Sequence, residues 1–335
     1  MTKRFHLSHL LPALWLLFTL FACEKPEEVI NKPNRPNQGQ TVTPSNPNQT
    51  ENLPKVDVVV TILQKATIGK GYNIVLMGIG FPEDYVREGH YDRLMKQSYD
   101  YLFSVEPMNS LRAYFNVYAV RSKEQETLLN NHAKGFGIEG SKESKIDPNP
   151  RALAIASSVP GFKKENSMIS VMVNTKNFLG LTYMTDPVLA YAYSALSSSS
   201  THFRGIILHE TVEHGIGKLA DEYSILSSCG SKDYIAEGHK KNWYMNISLT
   251  NDPEKVPWAG FLKDKRYATE DIGIYEGGGG CFKEGVWRSA KGGYDTPIGF
   301  NAPSRRAIYD HVMQVATGRT PTYEEFVQFD LAHRK

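Results

Sequence analysis

The sequence predicts an α/β fold, a three-layer domain on a mixed, mostly parallel sheet. Two observations carry this. Val56–Leu63 and Asn73–Met77 are short, β-branched and almost continuously apolar, the pattern of strands buried on both faces, and Tyr114–Val120 and Ser167–Val173 read as a third and a fourth strand. Segments with helical spacing alternate with them, and that alternation makes a sheet covered by helices, not a sandwich or a bundle.

The elements follow in chain order. Gly69 and Gly71 mark the turn between the first two strands, and Gly78-Ile79-Gly80-Phe81-Pro82 ends the second. Glu83–Ser104 predicts a helix, with Tyr85, Leu94, Tyr101 and Leu102 inward and Arg87, Glu88, Asp92 and Lys96 outward. Residues 121–150 are polar and interrupted by Gly and Pro, as in a surface excursion. Pro187–Leu196 reads as helical and leads into a serine run. Phe203–His214 is the next helix, and Ala302–Ala316 a C-terminal one with Pro303 near its start.

The N-terminal residues predict no part of this fold. Residues 1–22 read as a signal peptide: Lys3 and Arg4 precede an apolar stretch, Leu10–Phe21, too short to span a bilayer as a helix. It ends Leu20-Phe21-Ala22-Cys23, which resembles the bacterial lipobox and implies lipidation of Cys23. Residues 23–55 are rich in Pro, Asn, Gln and Thr and too poor in apolar surface to offset their ordering entropy, so they predict a disordered, lipid-anchored linker. Residues 56–335 then form the folded body, held at a bacterial cell envelope, on the outer membrane and in reach of its surface. The formal net charge of +2 gives no basis for binding nucleic acid. Cys229 and Cys281 remain as either a disulfide pair or two buried thiols.

The chemistry concentrates at His209-Glu210-Thr211-Val212-Glu213-His214. Two histidines on one helix face with a glutamate between them are the equipment of a zinc peptidase, normally spaced H-E-x-x-H. Here one residue is added. On a regular helix, residues i and i+5 stand about 140° apart, too far for two imidazoles to share one ion. A π-bulge of wider turn returns both to one side. The alternatives are a His209/Glu213 site at i, i+4 on a regular helix, or an amphipathic helix with no metal. Gly215 and Gly217 are expected to break the helix and let the chain turn back. Asp221 is then the favoured third ligand and Glu222 the second choice. Zn²⁺ is the implied cofactor, and Glu210 the general base.

The run His209–Tyr223 resembles the bacterial IgA-peptidase-type zinc metallopeptidases, whose signature joins H-E-x-G-H to L-A-D-E-Y. Leu219-Ala220-Asp221-Glu222-Tyr223 is that second half, with His214 on the second histidine. Asn73–Gly80, Tyr114–Val120, Ile274-Tyr275-Glu276-Gly277-Gly278 and Gly285-Val286-Trp287-Arg288-Ser289 are similar to further family segments. The resemblance implies a zincin-like catalytic domain over residues 56–335 that hydrolyses peptide bonds in protein or peptide substrates. Glu276 and Arg288 are weaker candidates for binding substrate. Three features depart from the family: Gly78-Ile79-Gly80-Phe81 lacks a carboxylate, Gly292–Pro297 lacks a methionine, and Glu213 stands where a small residue is usual. They motivate a second reading, a catalytically impaired surface lipoprotein that binds glycan or peptide.

Overall fold

The computed structural model describes residues 58–122, 150–174, 180–193, 200–224, 231–291 and 299–334, all within a compact unit of Asn52–Lys335. The signal peptide, Cys23, the linker and the 121–150 excursion, apart from its ends, lie outside the described residues.

A six-stranded sheet organises the chain. Its strands are β1 (Val58–Gln64), β2 (Tyr72–Ile79), β3 (Phe115–Ser122), β4 (Ser167–Val173), β5 (Gly180–Tyr183) and β6 (Val188–Tyr193), in the order β1-β3-β2-β4-β6-β5. The four inner strands are mutually parallel; β1 and β5 close the edges antiparallel. The sheet is therefore mixed and mostly parallel, as predicted.

Both faces of the inner strands are covered, which is why they are mostly apolar. Ile74 and Leu76 of β2 enter one core with Met168, Met172 and Ala190, beneath the helices His90–Leu102, Ser200–Ile206 and Ala302–Thr317. Val75, Met77 and Ile79 enter the opposite core with Ile169, Val171 and Tyr191, under the helix Pro150–Ala156. These alternating side chains make three layers, and each large aliphatic residue buried this way contributes about 1.5–3 kcal/mol.

Three expectations change. Val56–Leu63 was expected to be buried on both faces, but β1 is an edge strand, with Val59 and Ile62 more than half exposed. Pro187–Leu196 was expected to be helical; Val188–Tyr193 is instead strand β6, an inner position where sheet burial overrides the helix propensity of Ala and Leu. The helix expected over Glu83–Ser104 is divided by Gly89, at φ 73, into Glu83–Arg87 and His90–Leu102.

A smaller three-stranded sheet, β7 (Ile247–Ser248), β9 (Phe282–Arg288) and β8 (Tyr275–Gly278), forms beyond the motif helix. Ala220, Ile235, Ile247 and Val286 make a separate small core there. The C-terminal helices Ala302–Thr317 and Tyr323–His333 are joined by a buried ion pair: Arg305 donates to Asp330 at 2.6 Å and to Glu270 at 2.7 Å. Among the described residues, no helix is long and apolar enough to cross a membrane.

Candidate metal centre

The helix that begins at Ser200 changes character at Ile207 and is a π-helix through Ile216. The wider turn answers the spacing problem. His209 and His214 face the same side, their ring centroids 4.4 Å apart and their Nε2 atoms 3.2 Å apart. Thr211, fully buried, bonds Ser170 of β4 at 2.8 Å and anchors the π segment to the sheet.

The glycines act differently from the expectation. The helix runs through Gly215 and ends at Gly217. A Cβ at Gly215 would lie 2.6 Å from the Met168 methyl carbon, so that glycine permits close packing on β4. The turn itself is made by Lys218, at φ 52, a left-handed conformation that costs a non-glycine residue about 1–2 kcal/mol. Tyr244 N donates to Lys218 O at 2.7 Å and holds the turn.

Beyond the turn, Asp221 comes back to the histidines. Its Oδ1 lies 3.2 Å from His209 Nε2 and 3.2 Å from His214 Nε2. The three candidate ligand atoms thus form a triangle with 3.2 Å sides. Ligands about 2.0–2.1 Å from a tetrahedral zinc ion stand about 3.3 Å apart, so this triangle fits one face of such a site and leaves a fourth position open. Asp221 Oδ1 is buried and meets only the two imidazoles, contacts that a shared cation would replace. His209, His214 and Asp221 are the one group of this kind among the described residues. Glu222, the second choice, is directed elsewhere: it is buried and accepts from Ser289 Oγ at 2.9 Å.

The other ring nitrogens are also committed. His214 Nδ1 lies 2.9 Å from the Leu219 carbonyl, which can only accept, so Nδ1 keeps its proton and Nε2 is the nitrogen left to a metal once its own proton is displaced. His209 Nδ1 lies 2.9 Å from Glu213 Oε2. Glu213 therefore does not intrude among the ligand atoms; it fixes the ring of His209 and raises its basicity, the usual outer partner of a ligating histidine. The same contact sets Glu213 against Nδ1 of His209, the nitrogen opposite the one that meets His214 and Asp221.

Glu210 borders the triangle, with Oε1 3.9 Å from His209 Nε2. The Thr182 hydroxyl of β5 lies 2.7 Å from Glu210 Oε2 and 2.8 Å from its carbonyl oxygen, sharing one proton between two acceptors. Gly180, on the same strand, gives the carboxylate room: a Cβ there would come within 2.2 Å of Oε1. Thr182 and Gly180 carry no signal in the sequence, since they belong to a four-residue edge strand too short to show a period.

Charge at the site is coupled. Burial lowers His209, but Glu213 and Asp221 outweigh it and hold that imidazole well above its ordinary pKa. His214, lowered by burial and by His209 but raised by Asp221, reaches about 9. Burial alone would raise Asp221; the two imidazoles instead hold it well below the carboxylate range. Glu210 moves up, because burial outweighs the nearby histidines and Thr182. The imidazole protons compete with a metal. With His214 raised from 6.5 to about 9, its proton stabilises the metal-free fold fully below pH 6.5, and that contribution is lost as pH rises through 9. A metal replaces those protons, so its binding strengthens with pH. The melting-temperature gain on adding zinc to the chelated protein is expected to grow between pH 6.5 and 9. Apparent affinity should rise about tenfold per pH unit for each proton displaced. A gain that does not vary with pH would contradict this proton competition.

The weaker candidates lie elsewhere. The Arg288 guanidinium donates to the carbonyls of Glu276, Gly277, Ala290 and Lys291, so it binds the small sheet together. Glu276 is exposed and accepts from Gly285 N at 3.4 Å. Cys281 is half of a disulfide, as one of the two readings had it; Cys229, the partner in that reading, lies outside the described residues.

Two imidazoles on a helix packed against an α/β sheet, met by a carboxylate beside a buried glutamate, are features of a metallopeptidase. Comparison with protein families agrees: the model described as IgA Peptidase M64 matches residues 61–270. The chain belongs to that family. A search of curated proteins found no match.

Proposed function

We propose that the protein is a zinc-dependent endopeptidase tethered to a bacterial cell envelope through Cys23, with residues 23–55 as the tether and residues 56–335 as a zincin-like catalytic domain. The observation that carries this reading is the 3.2 Å triangle of His209 Nε2, His214 Nε2 and Asp221 Oδ1. A zinc ion, when bound, would act as a Lewis acid and make hydroxide available at neutral pH. The chain supplies the rest. Glu213 and the Leu219 carbonyl hold both imidazoles with Nε2 presented to the ion. Thr182 occupies Glu210 Oε2 and leaves Oε1 to take a proton from the attacking water and deliver it to the leaving amine. The raised pKa of Glu210 suits both halves of that transfer.

Of the three departures behind the impaired-binder reading, Glu213 stands nearest the histidines, and its bond to His209 Nδ1 suits a supporting part in a working site. The test is hydrolysis of an unfolded protein such as casein. Activity should disappear when the metal is chelated and return with one equivalent of zinc. Hydrolysis that persists in metal-free protein would refute the proposal.

A further inference from the structure

The two histidine ligands ride on a helix, but Asp221 does not. It lies on a non-helical segment after a left-handed turn, and its carboxylate is paired among the described residues only with the two imidazoles. A ligand on such a segment needs its direction fixed from outside, because a displacement of about 1 Å spoils a site.

That support comes from one buried side chain. Asn246, 1 % exposed, turns its carboxamide to Ala220, the residue just before the ligand. Ala220 N donates to Asn246 Oδ1 at 2.9 Å, and Asn246 Nδ2 donates to Ala220 O at 2.7 Å. One amide thus engages both backbone groups, as a neighbouring strand would. Two further contacts grip the residues that follow. Gly279 N donates to Asp221 O at 2.7 Å, and Ser289 Oγ to Glu222 Oε1 at 2.9 Å. The three donors come from separate positions around the small sheet, so the segment is held at three successive residues.

We propose that Asn246 is a positioning residue for the metal centre, fixing through Ala220 the backbone from which Asp221 reaches the ion. This assignment rests on the metallopeptidase reading above. It also gives the small sheet a purpose: it is the wall against which the third ligand is set.

Zinc affinity of the full chain, measured by competition with a chromogenic chelator, tests it. Asn246→Asp keeps an oxygen for Ala220 N but sets a carboxylate oxygen against Ala220 O, and Asn246→Ala removes both bonds. Asn73→Ala is the control: Asn73 is equally buried, but its amide bonds Gly161 O and Ser167 Oγ. The Asn246 variants, folded by circular dichroism, should bind zinc about 10–100-fold more weakly. The visible spectrum of the cobalt-substituted Asn246 variants should also change, while Asn73→Ala leaves both readouts unaltered. Folded Asn246→Asp with wild-type affinity would overturn the proposal, as would equal weakening in Asn73→Ala. Should neither Asn246 variant fold, Ser289→Ala decides: several-fold weaker zinc supports the cradle, and unchanged affinity overturns it. A wild-type chain that binds no zinc would instead overturn the metal reading, and this proposal with it.

Discussion

Glu210→Gln is expected to lower peptide hydrolysis by about 10²–10⁴-fold, the usual contribution of a positioned general acid–base, with zinc still bound at one ion per chain. The side chain keeps its shape, and its amide oxygen can still accept from Thr182. It loses the basic oxygen that takes the proton of the attacking water. Glu210 Oε1 is 3.9 Å from His209 Nε2 and outside the ligand triangle, so metal content should not change. Stability should not fall either, because burial already disfavours the ionised form of Glu210. Steady-state hydrolysis alongside metal analysis reads both outcomes. Near-wild-type turnover would remove Glu210 from the mechanism.

His214→Ala is expected to abolish stoichiometric zinc. Loss of an outer partner of a metal ligand costs about 10–100-fold in affinity, and loss of one of three direct ligands should exceed that. The variant also separates the two pairings open to this helix. A site built on His209 and Glu213 would keep its metal, since His214 takes no part in it. The structure favours loss: His209 and Glu213 are bonded to each other at 2.9 Å, while Nε2 of both histidines and Oδ1 of Asp221 converge. Metal retained by folded His214→Ala would rule out the three-ligand site.

The parts of the molecule legible in the sequence are those governed by period. β2, β3 and β4 announce themselves as short, largely apolar runs that hold β-branched or aromatic residues, which suit a doubly covered strand better than a helix. The histidine pair is legible for the same reason: residues five apart cannot face one way on a regular helix, so sharing one ion would require the π turn that is found at Ile207–Ile216. β6 reads as a helix because Val-Leu-Ala-Tyr-Ala-Tyr is apolar throughout, and apolarity without alternation does not separate a buried strand from a helix. The role of Glu213 is out of reach because sequence cannot say which nitrogen of His209 faces it. Thr182 and Asn246 are out of reach because their partners, Glu210 and Ala220, lie 28 and 26 residues away and no periodicity links them.

The central claim is that one ion is held by His209, His214 and Asp221. Anomalous diffraction at the zinc absorption edge, from crystals of the zinc-loaded chain, tests it most directly. The account predicts a single peak about 2.0–2.2 Å from His209 Nε2, His214 Nε2 and an Asp221 carboxylate oxygen. A peak bonded to Glu213 or Glu222, or none among these residues, would contradict it.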